Sequence, residues 1–178
     1  MKTLIDHINE ALKIGKNLSN FSTYSCQPTT KDELKEIIKK RIKQEGSDCD
    51  LNDIDVSQIT DMSFLFNESK FTGNISNWDT SNVNDMCGMF KGSKFTGNIS
   101  KWDVSNVTNM CDMFNKSWFN NDISNWDVSN VKYMRWMFAF SKFDRDISEW
   151  KLRQDCDVDD MFNKCPIKEE YKPKGIQV

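Results

Sequence analysis

The chain has 178 residues, of which 38% are hydrophobic and 29% charged, and its formal net charge is −3. This length and composition suit one domain with a continuous apolar core. The small net charge favours neither nucleic acid nor a strongly acidic ligand as partner. No apolar run approaches the roughly eighteen residues that a membrane-spanning helix needs, so the sequence predicts no membrane span.

The N-terminal segment, residues 1–15, is predicted to be a short amphipathic helix, and the polar residues 16–29 are predicted to be a linker. Asp6 and Glu10 interrupt what would be the apolar core of a secretion signal. The segment is therefore expected to be neither a signal peptide nor a lipoprotein leader. A protein without a recognisable secretion signal is expected in the cytoplasm.

Residues 30–50 are predicted to contain a second helix, from about Lys31 to Glu45. Thr30 and Glu33 have the spacing of a capping box, and Gly46 follows the last apolar position. The helix is lysine-rich, but it also carries acids and no interleaved aromatic residues, so a solvated face is favoured over a nucleic-acid site. Its predicted role is to cover the open end of the repeats that follow.

Residues 51–170 form five repeats with a period of 24 residues. The third repeat, residues 99–122, reads ISKWDVSNVTNMCDMFNKSWFNND, and the fourth, residues 123–146, reads ISNWDVSNVKYMRWMFAFSKFDRD. Aromatic residues recur in register at Trp78, Trp102, Trp126 and Trp150 and at Phe66, Phe90, Phe114, Phe138 and Phe162. An invariant period of this kind predicts units that bury their apolar faces against their neighbours.

The hydrophobic spacing changes within each repeat. The opening segment, such as ISKWDV, predicts a short strand. A serine follows as a candidate helix N-cap, and Val107, Met110, Met113 and Phe114 then have the three- and four-residue spacing of a helical face. The predicted fold is an α/β solenoid of about five 24-residue coils with parallel short strands and short helices. The fifth repeat is degenerate, and residues 171–178 are predicted to be a flexible tail.

The repeat pattern I-S-x-W-D-V-S-N-V-x-x-M-x-x-M-F-x-x-S-x-F resembles that of the BspA-like leucine-rich-repeat proteins, in particular the repeats of mycoplasma surface lipoproteins. The resemblance covers Leu51 to about Phe162. It implies a leucine-rich-repeat solenoid used for adhesion or protein binding, without catalysis. It also implies a cell-surface location, which the absence of a recognisable leader does not support.

Two recurrent positions carry residue types that occur at metal or redox sites. Asp55, Asp79, Asp103 and Asp127 recur once per repeat. One acid per repeat supplies fewer oxygens than calcium needs, so capping of a helix N-terminus is the favoured role and no metal is predicted. Cys87 and Cys111 are expected to stack about 5 Å apart, within reach of a disulfide, but reduced thiols at a variable surface position are favoured.

The sequence contains no recognisable catalytic motif, and no cofactor is predicted. The variable positions of the fourth repeat instead combine aromatic residues with an arginine, which is the composition of interface hot spots. The predicted partner-binding residues are Trp118, Tyr133, Arg135, Trp136 and Phe140. The alternative is that Trp136 and Phe140 pack beneath a C-terminal element, and the sequence does not decide between the two.

The first eleven residues, MKTLIDHINEA, resemble the capsid-targeting peptide of internal head proteins of T-even type bacteriophages. That resemblance implies cleavage after an Ile-x-Glu motif, with Ile8 and Glu10 in the recognition site and Ala11 as the new N-terminus. The location would then be inside a virion.

The favoured hypothesis is a monomeric, non-catalytic module that binds a protein through the repeat surface. The alternatives are a phage internal head protein and a bacterial surface adhesin.

Overall fold

The computed structural model describes residues 24–174. Its α-helix, α1, spans Lys31–Glu45, as the sequence predicts. The Thr30 side chain accepts a hydrogen bond from the backbone N–H of Glu33, whose carboxylate in turn accepts one from the N–H of Thr29 at 2.8 Å. The N–H of Gly46, at φ 101°, closes the helix on the carbonyl of Ile42. Leu34 and Ile38 are buried in the same apolar core as the repeats.

The predicted α/β solenoid of parallel strands and short helices is wrong. Within residues 24–174, the only helix besides α1 is the short 3-10 helix Glu169–Tyr171, and no strand or sheet is present. The repeats consist of irregular chain with many turns. Neighbouring repeats are joined by isolated parallel bridges in a 24-residue register: Asp61 to Asp85, Asp85 to Asn109, Asn109 to Tyr133 and Tyr133 to Asp157.

The predicted helices fail because the backbone N–H groups have other acceptors. The N–H of Phe114 donates to the carbonyl of Met137 in the next repeat at 2.8 Å, whereas an α-helix would direct it to Met110. The N–H of Met113 closes a tight turn on Met110 at 3.2 Å. Alternate N–H groups therefore bond between repeats and within turns, and the three- and four-residue spacing of buried side chains comes from consecutive turns.

Left-handed backbone conformations recur four residues apart in the same segments. One column of positive φ contains Phe64, Gly88, Asp112, Trp136 and Asp160, and the other contains Glu68, Gly92, Lys116, Phe140 and Lys164. Each is the third residue of a turn closed by an N–H···O=C bond, such as Met110 to Met113. A left-handed residue every fourth position is incompatible with a right-handed helix.

Apolar residues from all five repeats form one continuous core. Stacked phenylalanines run through it, with ring centroids 5.6 Å apart for Phe66–Phe90 and 5.7 Å apart for Phe90–Phe114. Trp102 is buried, stacks on Trp78 at 6.3 Å and donates its indole N–H to the carbonyl of Ile75 at 3.1 Å. The predicted burial of the recurrent tryptophan is confirmed.

Polar side chains close the corners of each repeat. The carboxylate of Asp103 accepts bonds from the backbone N–H of Ser105 at 3.0 Å and from its hydroxyl at 2.6 Å. Asp122 and Ser117 accept from the N–H two residues later in the same way. The recurrent serines, which were predicted to be helix N-caps, are therefore donors to the preceding aspartate within a turn, and no helix begins at them.

Candidate functional site

The five predicted partner-binding residues are exposed on the third and fourth repeats, and we call them the aromatic face. Their aromatic members are exposed to 56% at Trp118, 50% at Tyr133, 44% at Trp136 and 46% at Phe140. About half of the Arg135 side chain is also exposed. The alternative prediction, that Trp136 and Phe140 pack beneath a C-terminal element, does not hold within residues 24–174.

Trp136 and Phe140 lie in the left-handed columns, at φ 58° and φ 57°. The second repeat has glycines at the corresponding positions, Gly88 and Gly92. A left-handed conformation costs a residue with a Cβ atom about 1–2 kcal/mol, and it is rare for bulky side chains. The fourth repeat thus holds two large aromatic side chains on unfavourable backbone, and neither side chain is buried in exchange.

Hydrogen bonds and ion pairs hold the acidic side of the aromatic face in place. The indole N–H of Trp136 donates to the Asp160 carboxylate at 3.0 Å. The Arg135 guanidinium lies 3.5 Å from the Asp157 carboxylate and also pairs with Asp159. These contacts orient the two side chains, which limits the conformational entropy that they would lose on binding.

Lysines contact the other side of the face. The Lys94 ammonium lies 5.4 Å from the ring centroid of Trp118, and the Lys164 ammonium lies 5.2 Å from that of Phe140. Both distances are within the range of a cation–π interaction. These lysines were not predicted as site residues, although aligning the repeats in 24-residue columns shows them beside the aromatic positions.

Phe64 is an exposed aromatic residue that the sequence analysis missed. It occupies the same repeat position as Trp136, at φ 56°, and its side chain is exposed to a similar degree. Its ring lies over Gly88, where an added Cβ atom would come within 2.3 Å of it. Phe64 belongs to the first repeat and therefore lies away from the aromatic face.

All six cysteines are free. Cys87 and Cys111 are half-buried, and the N–H of the following residue, Gly88, donates to the Cys111 carbonyl at 2.8 Å. Burial, with a smaller contribution from Asp85, raises the pKa of the Cys87 thiol to about 11. Burial raises the pKa of Cys156 to about 11 as well. A raised pKa keeps the thiol protonated at neutral pH and a poor nucleophile.

The recurrent aspartates are engaged in turns. Asp55, Asp79, Asp103 and Asp127 each accept a bond from the backbone N–H two residues later. Within residues 24–174, no group of three or more His, Cys, Asp or Glu side chains has a geometry that could hold a metal ion.

The proposed processing residues Ile8, Glu10 and Ala11 lie outside the described residues, so the cleavage hypothesis stays a prediction. In the described part of the chain, no helix is both long and apolar enough to cross a bilayer.

Comparison with known proteins identifies one family. Its model, described as a Mycoplasma protein of unknown function, DUF285, matches residues 33–116 and 70–172, which together span most of the chain. The chain belongs to the DUF285 family. No curated protein and no solved structure matches it. The two DUF285 matches cover all five repeats and most of α1, and the aromatic face lies within the second match.

Proposed function

We propose that this DUF285 protein is a non-catalytic binding module that recognises a protein partner through the aromatic face. The observation that carries the proposal is the group of four exposed aromatic side chains on two adjacent repeats, beside the half-exposed Arg135: Trp118, Tyr133, Trp136 and Phe140. Aromatic residues beside an arginine are the residue types that dominate protein interfaces energetically.

A protein partner accounts for the composition of the face better than a small molecule. The exposed rings belong to adjacent repeats and form a surface. The Trp136 indole N–H bonds to a carboxylate, and lysine ammonium groups lie over the rings of Trp118 and Phe140. Such an arrangement offers a partner apolar area at the centre and hydrogen-bonding groups around it. Binding would bury the apolar surface of the rings, which is exposed to water in the unbound protein, and the burial of apolar surface is favourable.

The proposal is tested by site-specific photo-crosslinking followed by affinity measurement. A photoreactive amino acid replaces Trp118 in one sample and Phe64 in a control sample, and crosslinked proteins are identified by mass spectrometry. The proposal predicts a partner captured from position 118 and not from position 64. Binding of the purified partner is then measured with Trp136→Ala and with Phe64→Ala.

Phe64→Ala is a matched control because both side chains are aromatic, half-exposed and at the same repeat position. Trp136→Ala is expected to weaken binding by about 2 kcal/mol, roughly a 30-fold rise in Kd. Phe64→Ala is expected to change Kd by less than about twofold. Equal effects of the two substitutions, or unfolding of the fourth repeat by Trp136→Ala, would contradict the assignment.

A further inference from the structure

Five exposed lysines form a band along one side of the aromatic face. They recur at two repeat positions and, in chain order, are Lys70, Lys94, Lys116, Lys142 and Lys164. Trp118 occupies the repeat position of Lys94 and Lys142 and therefore lies between them in the stack. Phe140 occupies the position of Lys116 and Lys164 in the same way. The two aromatic side chains are thus flanked by ammonium groups in the neighbouring repeats.

The two repeat positions of the lysine band contain one carboxylate, that of Glu68 in the first repeat, which lies over Gly92. Among residues 24–174, the ion pairs of the repeat surface involve other cations, such as Lys91 with Asp112 and Arg135 with Asp157. The contacts of the band are the two cation–π interactions with Trp118 and Phe140. Like charges that lie close together on a surface repel each other. Because the net charge of the chain is −3, the lysine band is a local positive patch and not part of a generally basic surface.

We infer that the partner segment is an acidic peptide that also carries apolar side chains. This inference rests on the proposed function, because it assigns the chemistry of the partner at the same face. Carboxylates of the peptide lie against the lysine band, and its apolar side chains lie on Trp118 and Phe140. Charge complementarity between the two surfaces then sets both the orientation of the peptide and its rate of association.

The opposite side of the face favours a peptide over a nucleic acid. There the carboxylates of Asp112, Asp157, Asp159 and Asp160 outnumber the cations Lys91 and Arg135. A phosphate backbone that extended across the face would meet these carboxylates after leaving the band. A peptide with acidic and apolar residues on different edges can place its carboxylates on the band alone.

The test uses the full chain and three synthetic peptides of equal length. In the first, Glu and Phe alternate; in the second, Lys replaces Glu; in the third, Ala replaces Phe. A single-stranded oligothymidylate serves as the competing polyanion. We expect only the Glu–Phe peptide to bind well and its affinity to fall as salt is added, because exposed charges are screened.

Charge reversal in the protein provides the second arm. Lys94→Glu combined with Lys142→Glu is expected to weaken binding of the Glu–Phe peptide about tenfold, as two lost attractions become repulsions. Lys101→Glu with Lys151→Glu is the matched control, since both residues are exposed and lie outside the band. This control pair is expected to change the affinity by less than about twofold. Thermal melting of each variant verifies that it is folded.

The outcomes separate the two proposals. Equal binding of the Lys–Phe and Glu–Phe peptides, lost on Trp118→Ala, would overturn the acidic partner while retaining the aromatic face as a binding site. Tighter binding of the oligonucleotide than of any peptide would overturn it in favour of nucleic acid. Failure of the Glu–Phe peptide to bind, or equal loss in the control pair, also overturns the acidic partner. The proposed function is tested separately. It fails if no partner is captured from position 118, if Trp136→Ala and Phe64→Ala affect binding of the captured partner equally, or if Trp136→Ala unfolds the fourth repeat.

Discussion

At the scale of single residues, the positions with positive φ show that the backbone bonds stabilise the fold while the side chains determine the surface. Gly88 and Gly92 adopt positive φ without steric cost, whereas Asp112, Trp136 and Phe140 adopt the same backbone with side chains. The turn geometry is therefore imposed by the bonds to the neighbouring repeats, since it persists whichever residue is present. Residue choice at these positions is free to serve the surface.

The first prediction concerns the buried tryptophan. Trp102→Ala removes the stacking on Trp78 and leaves the Ile75 carbonyl without its indole donor. The free energy of unfolding is expected to fall by about 3–5 kcal/mol, as for other large-to-small core substitutions. Denaturant titration measures it. Trp118→Ala, at an exposed indole, is the control and should change stability by less than about 0.5 kcal/mol.

Sequence reasoning identified the aromatic face but not its surroundings. Its residues were predicted because they differ from the repeat consensus at variable positions. A position whose residue type varies between repeats is not required by the core, so its side chain is expected to be exposed. Phe64 and the lysine band were missed for a physical reason. The 24-residue period places Lys94 in the same column as Trp118, but the period alone does not show that this column is exposed or that the Lys94 ammonium lies over the Trp118 ring.

At the scale of elements, local sequence patterns predicted the structure correctly only where the backbone hydrogen bonds join residues close in sequence. Helix α1 was predicted from Thr30, Glu33 and Gly46, and all three contribute to capping it. The prediction of short helices within the repeats was wrong. Val107, Met110 and Met113 have a helical spacing, but the N–H groups of residues between and beside them, such as Asp112 and Phe114, bond to the next repeat. Hydrophobic spacing does not distinguish a helix from consecutive turns.

The second prediction concerns the aspartates that cap the corners. The hydroxyl and N–H of Ser105 hold the pKa of Asp103 below its usual value, and Ser129 does the same for Asp127. A carboxylate whose pKa is depressed by folding stabilises the fold at pH values above its unfolded pKa, about 3.9. That contribution is lost as the pH falls through the folded pKa. Stability should therefore be flat near neutrality and decline below about pH 4.

The matched variant is Asp103→Asn, which keeps an oxygen acceptor for the N–H of Ser105 but does not titrate. Asn109 already caps the N–H of Cys111 in this manner, at 3.1 Å. Thermal melting between neutral and acidic pH should show a smaller loss of stability on acidification for Asp103→Asn than for the wild type. An unchanged pH dependence would show that the depressed pKa of Asp103 does not contribute to acid sensitivity.

At the scale of the whole molecule, the constant register makes the 24-residue repeat the unit in which stability is added. The four junctions share the alternate backbone bonds, the phenylalanine stacking such as Phe90 on Phe114, and the indole bond such as that of Trp102 to Ile75. Stability in such arrays is approximately a sum of repeat and junction contributions. A single-residue insertion instead displaces every bond on one side of it.

The third prediction follows from that register. Duplicating residues 99–122 should give a folded protein with a higher free energy of unfolding and a larger m-value, because one more junction is buried. Inserting one alanine after Met110 should destabilise the protein, since the alternation between inter-repeat and turn bonds is broken there. Denaturant titration of both variants provides the comparison. A duplication less stable than the wild type would contradict the prediction.

The inter-repeat bonds around the left-handed columns also share one direction. From Met62 to Phe140, sixteen N–H groups at alternate positions of the first four repeats all donate to the repeat that follows. Their peptide dipoles add, so this side of the stack carries partial positive charge at its last repeat and partial negative charge at its first. Three acids of the last repeat and one lysine at the first match these signs. Asp157, Asp159 and Asp160 lie in the last repeat, while the Lys31 ammonium of α1 reaches Asp61 and Ser63 of the first at 2.6 and 2.8 Å.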